Sequence, residues 1–131
     1  MTDVGSWDPD AAPVVLDDTL LRRLSELDLD APVLGLGQPD VARFAPLMKK
    51  PKAEWLLVVG GLSSEELVTL IRFFTLAEGQ LPGWEAGESS PVIPIAAELR
   101  KRGDYPESLT PWIKANSTNR FLPWGSLLDR L

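Results

Sequence analysis

Residues 63–79 read "SSEELVTLIRFFTLAEG", and this stretch decides what kind of fold the chain can have. Ser63 and Glu66 stand in the S-x-x-E spacing of a capping box. Leu62 and Leu67 occupy the two positions of a hydrophobic staple. Leu67, Leu70, Ile71 and Phe74 then share one helical face, and Val68, Phe73, Leu76 and Ala77 widen it. Glu65, Thr69, Arg72 and Thr75 are left as a narrow polar stripe. A helix this apolar belongs at the centre of a core, and Gly79 is its expected left-handed C-cap.

Upstream, "EWLLVV" (54–59) is a short apolar run that periodicity leaves open between helix and strand. Pro51 at a first helical position and Gly60 as a stop favour helix. As a strand, the run would lead through "VVGGLS" towards an anion at the next helix N-terminus, but the spaced glycines and Lys of a phosphate loop are missing. "DVARFAPLMKK" (40–50) reads as a short helix kinked or ended by Pro46. "DDTLLRRLSELD" (17–28) places Leu20, Leu21, Leu24 and Leu27 on one stripe, with Asp17 and Asp18 at the positive helix end. Residues 29–40 form a connector broken by Pro and Gly.

Downstream, residues 80–91 read as a long loop. Ser90 and Pro91 then open a helix that runs to Arg100, Lys101 and Arg102 and stops at Gly103. Thr110 and Pro111 read as N-cap and first residue of a short helix, "PWIKAN". "RFLPWG" (120–125) is expected to be extended, and "SLLDRL" (126–131) a last helical turn or two. The expected fold is therefore all-α: five to seven short helices packed irregularly around helix 63–79. Twelve prolines argue against a long regular bundle. Residues 1–15, polar and without periodicity, read as a flexible acidic leader, and residues 16–131 as one helical domain.

With 131 residues and 44% hydrophobic content, the chain can bury a core without staples. It contains no Cys and no His. That removes thiolate chemistry, the Ser–His–Asp triad, imidazole metal ligands and the usual neutral-pH proton shuttle. Nine acids and two bases fall in residues 1–40, against ten acids and eleven bases in 41–131. The acidity thus sits in the N-terminal third, and a nucleic-acid partner, which would call for a basic face, is not expected. The N-terminus lacks the pattern of a signal peptide, and no apolar run is long enough to span a bilayer. The expectation is a cytoplasmic protein with no membrane partner. No cofactor or metal site is read. Glu85 and Glu88, or Asp104 and Tyr105, supply acid–base groups, but nothing places two carboxylates across a cleft.

The candidate binding residues come from two places. One is Trp84 with Glu85 in the Gly-rich loop, where an aromatic can anchor a partner, although a Trp folded back over helix 63–79 is the more usual arrangement. The other is the C-terminal stretch "WIKANSTNRFLPW", with Trp112, Lys114, Asn116, Asn119, Arg120 and Trp124. Arg offers a bidentate fork, Asn amides fix orientation and Trp supplies area. The plainer reading of that stretch is a seal. Trp112, Ile113, Phe121, Leu122 and Trp124 plug the core, the Asn residues shape a turn, and Arg120 pairs within the chain. Sealing is the favoured reading. The function expected on these grounds is a non-enzymatic protein-interaction module, acting on a protein partner or by self-association. The alternative is a small-ligand or enzyme domain whose aromatic pocket holds an anionic ligand on Arg120 and Lys114, with Glu85 as base.

Overall fold

A computed structural model of the protein describes residues 14–125. Among the described residues six α-helices and no strands are present: α1 (Asp18–Ser25), α2 (Gln38–Phe44), α3 (Lys52–Val59), α4 (Ser64–Gln80), α5 (Val92–Arg102) and α6 (Leu109–Asn116). Short 3₁₀ turns occupy Pro32–Gly35, Ala45–Lys49 and Gly87–Ser89. The protein is all-α, and its centre is the helix singled out by sequence.

The start of α4 is built as its residues dictate. Ser63 Oγ accepts from the Glu66 N–H at 3.0 Å, and the Ser63 N–H donates back to Glu66 Oε1 at 2.8 Å. Leu62 and Leu67 are both buried. Leu67, Leu70, Ile71, Phe73, Phe74 and Ala77 are fully buried. α1, α5, α6 and the turn at Pro32–Gly35 pack on α4, while α3 packs on α5. Phe74 is the aromatic hub: Trp55 of α3 and Phe73 meet it edge-on, with centroids at 5.4 and 5.1 Å. α1 is tied to the base of α4 by Arg22, which donates to the Gly61 carbonyl at 2.9 Å and lies 3.6 Å from Glu66.

Several expectations are corrected. α4 does not end in a left-handed cap at Gly79. It runs to Gln80, and its C-cap Leu81 is extended, buried and hydrogen-bonded to Ala77 O at 2.9 Å. Burial of Leu81 carries the chain straight on into the core. The polar stripe is not solvated throughout. Thr75 is fully buried, its hydroxyl donating to Ile71 O at 2.7 Å. Arg72 lies half-buried, 5.7 Å from the Trp112 ring, with Nε lacking a hydrogen-bond partner. α6 begins at Leu109, so Thr110 and Pro111 lie inside its first turn, and the Thr110 hydroxyl is spent on Tyr105 OH at 2.8 Å.

Residues 120–124 are not extended but fold as successive turns, anchored by the Leu122 N–H on Asn119 O. The 54–59 run is helix α3, with Pro51 as its N-cap rather than its first residue and Gly60 as its C-cap. The connector holds a feature without a sequence signal: Val33 and Leu34 carry φ of 46° and 57°. Such angles are unfavourable for a β-branched residue, and the full burial of Leu34 offsets them. The helix expected at 126–131 and the leader lie outside the described residues, apart from Val14, which is buried, and Val15, which is exposed.

Candidate functional site

The last turn of α4, the 85–87 segment, the end of α6 and the 117–121 turn enclose an open groove of about 860 Å³. Five of the eight candidate residues line it: Glu85, Lys114, Asn116, Asn119 and Arg120. The three tryptophans do not.

The floor of the groove is a hydrogen-bond hub centred on Glu78. Its Oε2 accepts from the backbone N–H groups of Ala86 at 2.9 Å and Gly87 at 3.1 Å. The Asn119 amide donates to both carboxylate oxygens, at 3.0 and 3.1 Å, and to Gly87 O at 2.9 Å. Asn119 Oδ1 in turn accepts from the Phe121 N–H, and its own backbone N–H donates to Ser117 Oγ. Gly87 can present both its N–H and its carbonyl to this hub because it adopts φ 55°, a conformation costly for other residues. The loop, the central helix and the C-terminal turn are thereby locked into one surface.

Each candidate side chain then takes a definite part. Asn119 is a clamp, not a recognition group. Asn116 is exposed but turns its amide back onto Trp112 O at 2.8 Å, closing the end of α6. Glu85 is exposed on one wall. Lys114 and Arg120 are exposed on the other side, and neither forms an ion pair with a described residue. The Arg120 guanidinium lies 5.1 Å from the Phe121 ring. The internal pairing expected of Arg120 is therefore absent among the described residues. Stacking on a neighbouring ring leaves its fork of donors turned to solvent.

Trp84 takes the plainer of its two places, folded back onto α4 and not left as an anchor. Its side chain is fully buried, edge-on to Phe73 at 6.0 Å, and its indole N–H donates to Val41 O at 2.7 Å. A loop rich in glycine can fold a large ring inward, and burial of that ring outweighs any gain from leaving it in water. Trp112 is half-buried beneath Arg72. Trp124 is half-buried, its ring centroid 4.8 Å from that of Tyr105 and 4.7 Å from the Arg100 guanidinium. Leu122 is buried and Phe121 partly so. The C-terminal aromatics thus seal the core, while the polar residues between them line the groove.

Glu78 was missed by sequence reasoning, although a signal exists. A carboxylate in the last turn of a helix opposes the dipole and so calls for donors from elsewhere. Arg102 does more than complement the dipole at the end of α5. It donates to Glu98 at 2.8 Å, to Ser64 Oγ at 3.2 Å and to the carbonyls of Val59 and Gly60 at 3.2 and 3.4 Å.

Among the described residues no group of three or more acidic side chains is placed to hold a metal ion, and no helix is long and apolar enough to cross a membrane. Comparison of the chain with protein-family models, curated proteins and solved structures gave no match.

Proposed function

We propose that the protein is a non-enzymatic interaction module whose groove receives a carboxylate-bearing segment of a protein partner. The observation that carries this reading is the pairing state of Lys114 and Arg120. Both cations stand exposed beside a groove whose floor is held rigid by Glu78 and Asn119, and neither has a carboxylate among the described residues. A preorganised floor lowers the ordering cost of binding. A guanidinium with its donors in water is available for a bidentate contact. Glu85 on the facing wall sets polarity, so a segment with a basic group beside its acid fits the groove better than a purely acidic one. The same surface on a second copy of the chain is the simplest partner.

The test is the double substitution Lys114→Ala with Arg120→Ala. Thermal melting should be nearly unchanged, because both side chains are exposed and neither forms an ion pair with a described residue. Capture of interacting protein from native extract, and any concentration-dependent self-association by sedimentation, should be lost. A lowered melting temperature with capture intact would overturn the reading and return the C-terminal stretch to a purely sealing role.

A further inference from the structure

α3 is the helix whose sequence and surroundings disagree. Its apolar residues point to every side, and a helix of that kind belongs inside a fold. Yet only Trp55 and Val59 are buried, with Val58 half-buried. Leu56 is 46% exposed and Leu57 85%. Ala53, Leu56, Leu57 and Gly60 all face solvent. Their spacing, i, i+3, i+4 and i+7, makes them one stripe along the helix. Gly60 belongs to it because this C-cap keeps helical angles, φ −62° and ψ −21°.

The stripe has the form of a seat for a second helix. Anchors at this spacing are the ones through which helices engage each other. Two leucines stand at its middle, with a methyl group at one end and no side chain at the other. A Cβ added at Gly60 would meet nothing within 4 Å, so the backbone there is open to close approach.

Charge says which helix fits and which way it runs. At the start of α3, Lys49, Lys50 and Lys52 gather with two carboxylates, Glu54 and Glu88. At its end the balance is reversed. Asp18 Oδ2 lies 3.9 Å from the place of a Cβ on Gly61. Arg22 bonds the Gly61 carbonyl and is shared between Asp18 and Glu66. Arg102 bonds the carbonyls of Val59 and Gly60, is paired with Glu98, and meets Asp104 through Ser64. Four carboxylates thus stand with two guanidiniums, and both guanidiniums are already engaged. A helix laid antiparallel on the stripe matches this field. Its negative C-terminal end comes to the lysines and its positive N-terminal end to the carboxylates. An anionic lipid surface would gain at the lysines but be repelled at the other end.

We propose that the exposed side of α3 docks an amphipathic helix of a protein partner. That helix is leucine-faced, runs antiparallel to α3, and is basic in its first turn and acidic in its last. The stripe shares no residue with the groove and stands independently of the interaction reading given to it. Eight helical residues are only about 12 Å long, so the contact is smaller than a standard interface and its affinity correspondingly weak.

The experiment is an NMR titration of the ¹⁵N-labelled full chain with two synthetic helical peptides. Both carry leucines at i, i+3, i+4 and i+7 and are held to equal helicity by a hydrocarbon staple on the opposite face, checked by circular dichroism. One has Lys in its first turn and Glu in its last; the other has these charges exchanged. The expected result is a saturable shift of the α3 amides with the first peptide, about fivefold tighter than with the second, as two or three exposed ion pairs allow. The preference should shrink at high salt. Leu57→Glu should abolish binding of both peptides with the melting temperature unchanged, because this side chain is exposed. Equal binding of the two peptides overturns the proposal, as does binding that survives Leu57→Glu or the absence of a saturable shift at millimolar peptide. Self-association of the chain that is lost on Leu57→Glu, read by sedimentation, also overturns it, because a second copy is then the occupant.

Discussion

Glu78 stands in the last turn of α4, where the helix dipole works against a carboxylate. The structure answers with two backbone N–H groups and the Asn119 amide. Of these partners, Asn119 bonds Glu78 through its side chain, whereas Ala86 and Gly87 do so through backbone N–H groups. Asn119→Ala removes donors from Glu78 and Gly87 and the acceptor of the Phe121 N–H together. Partly buried groups left unsatisfied cost about 1–3 kcal/mol, and the denaturant midpoint should fall accordingly. Proteolysis should then appear first at the 85–89 segment and the 117–121 turn, which this residue joins. Unchanged stability would show that water replaces the clamp without loss. Val33 shows the opposite kind of residue: its φ of 46° is imposed by its neighbours, not by its own preference.

Among the elements, α4 was legible from its residues alone because capping box, staple and apolar face agree over seventeen residues. Short elements carry less information. α3 is apolar on every side, burying Trp55 and Val59 while Leu57 is 85% exposed, so no period marks it as helix. The beginning of α6 was misplaced by two residues because Thr110 is an excellent cap by type, yet its hydroxyl bonds Tyr105. The central place of α4 predicts a large local cost for losing its hub. Phe74 is fully buried and touches two aromatic rings edge-on. Phe74→Ala should destabilise the protein by about 3–5 kcal/mol, read as a fall in melting temperature and midpoint. A melt within error of the parent chain would remove α4 from the centre of the fold.

Taken as a whole, the molecule closes by docking its last described residues onto α5. Tyr105, the chain's only tyrosine, packs on Trp124 and bonds Thr110, while Arg100 lies over Trp124. Burial pushes the Tyr105 phenol above its ordinary pKa of 10.0, against smaller opposing effects of the Thr110 bond and the Arg100 charge. In the unfolded chain the phenol ionises first, so above that point the folded state holds the extra proton. The contribution of Tyr105 to stability is then complete below pH 10 and is lost as pH rises through the folded value. Denaturation midpoints measured across this alkaline range should fall more steeply for the parent chain than for Tyr105→Phe. Equal slopes would show that the phenol is no less solvated folded than unfolded.

Periodicity, capping residues and composition were enough to specify an all-α chain, the rank of α4 within it, and the absence of thiol and imidazole chemistry. Those are local or additive properties, set by which side chains follow one another. The fate of the tryptophans was not local. Trp84 and Trp124 both sit in Pro- and Gly-rich stretches, yet one is fully buried on Phe73 and the other is half-buried, in contact with Arg100 and tilted against Tyr105. The same holds for cations. Arg102 is consumed by α3 and its own helix, whereas Arg120 faces solvent, and nothing in their flanking residues tells them apart. Which polar group is spent inside and which is left for a partner depends on acceptors some forty positions away along the chain, and their nearness comes only from helices packing side by side.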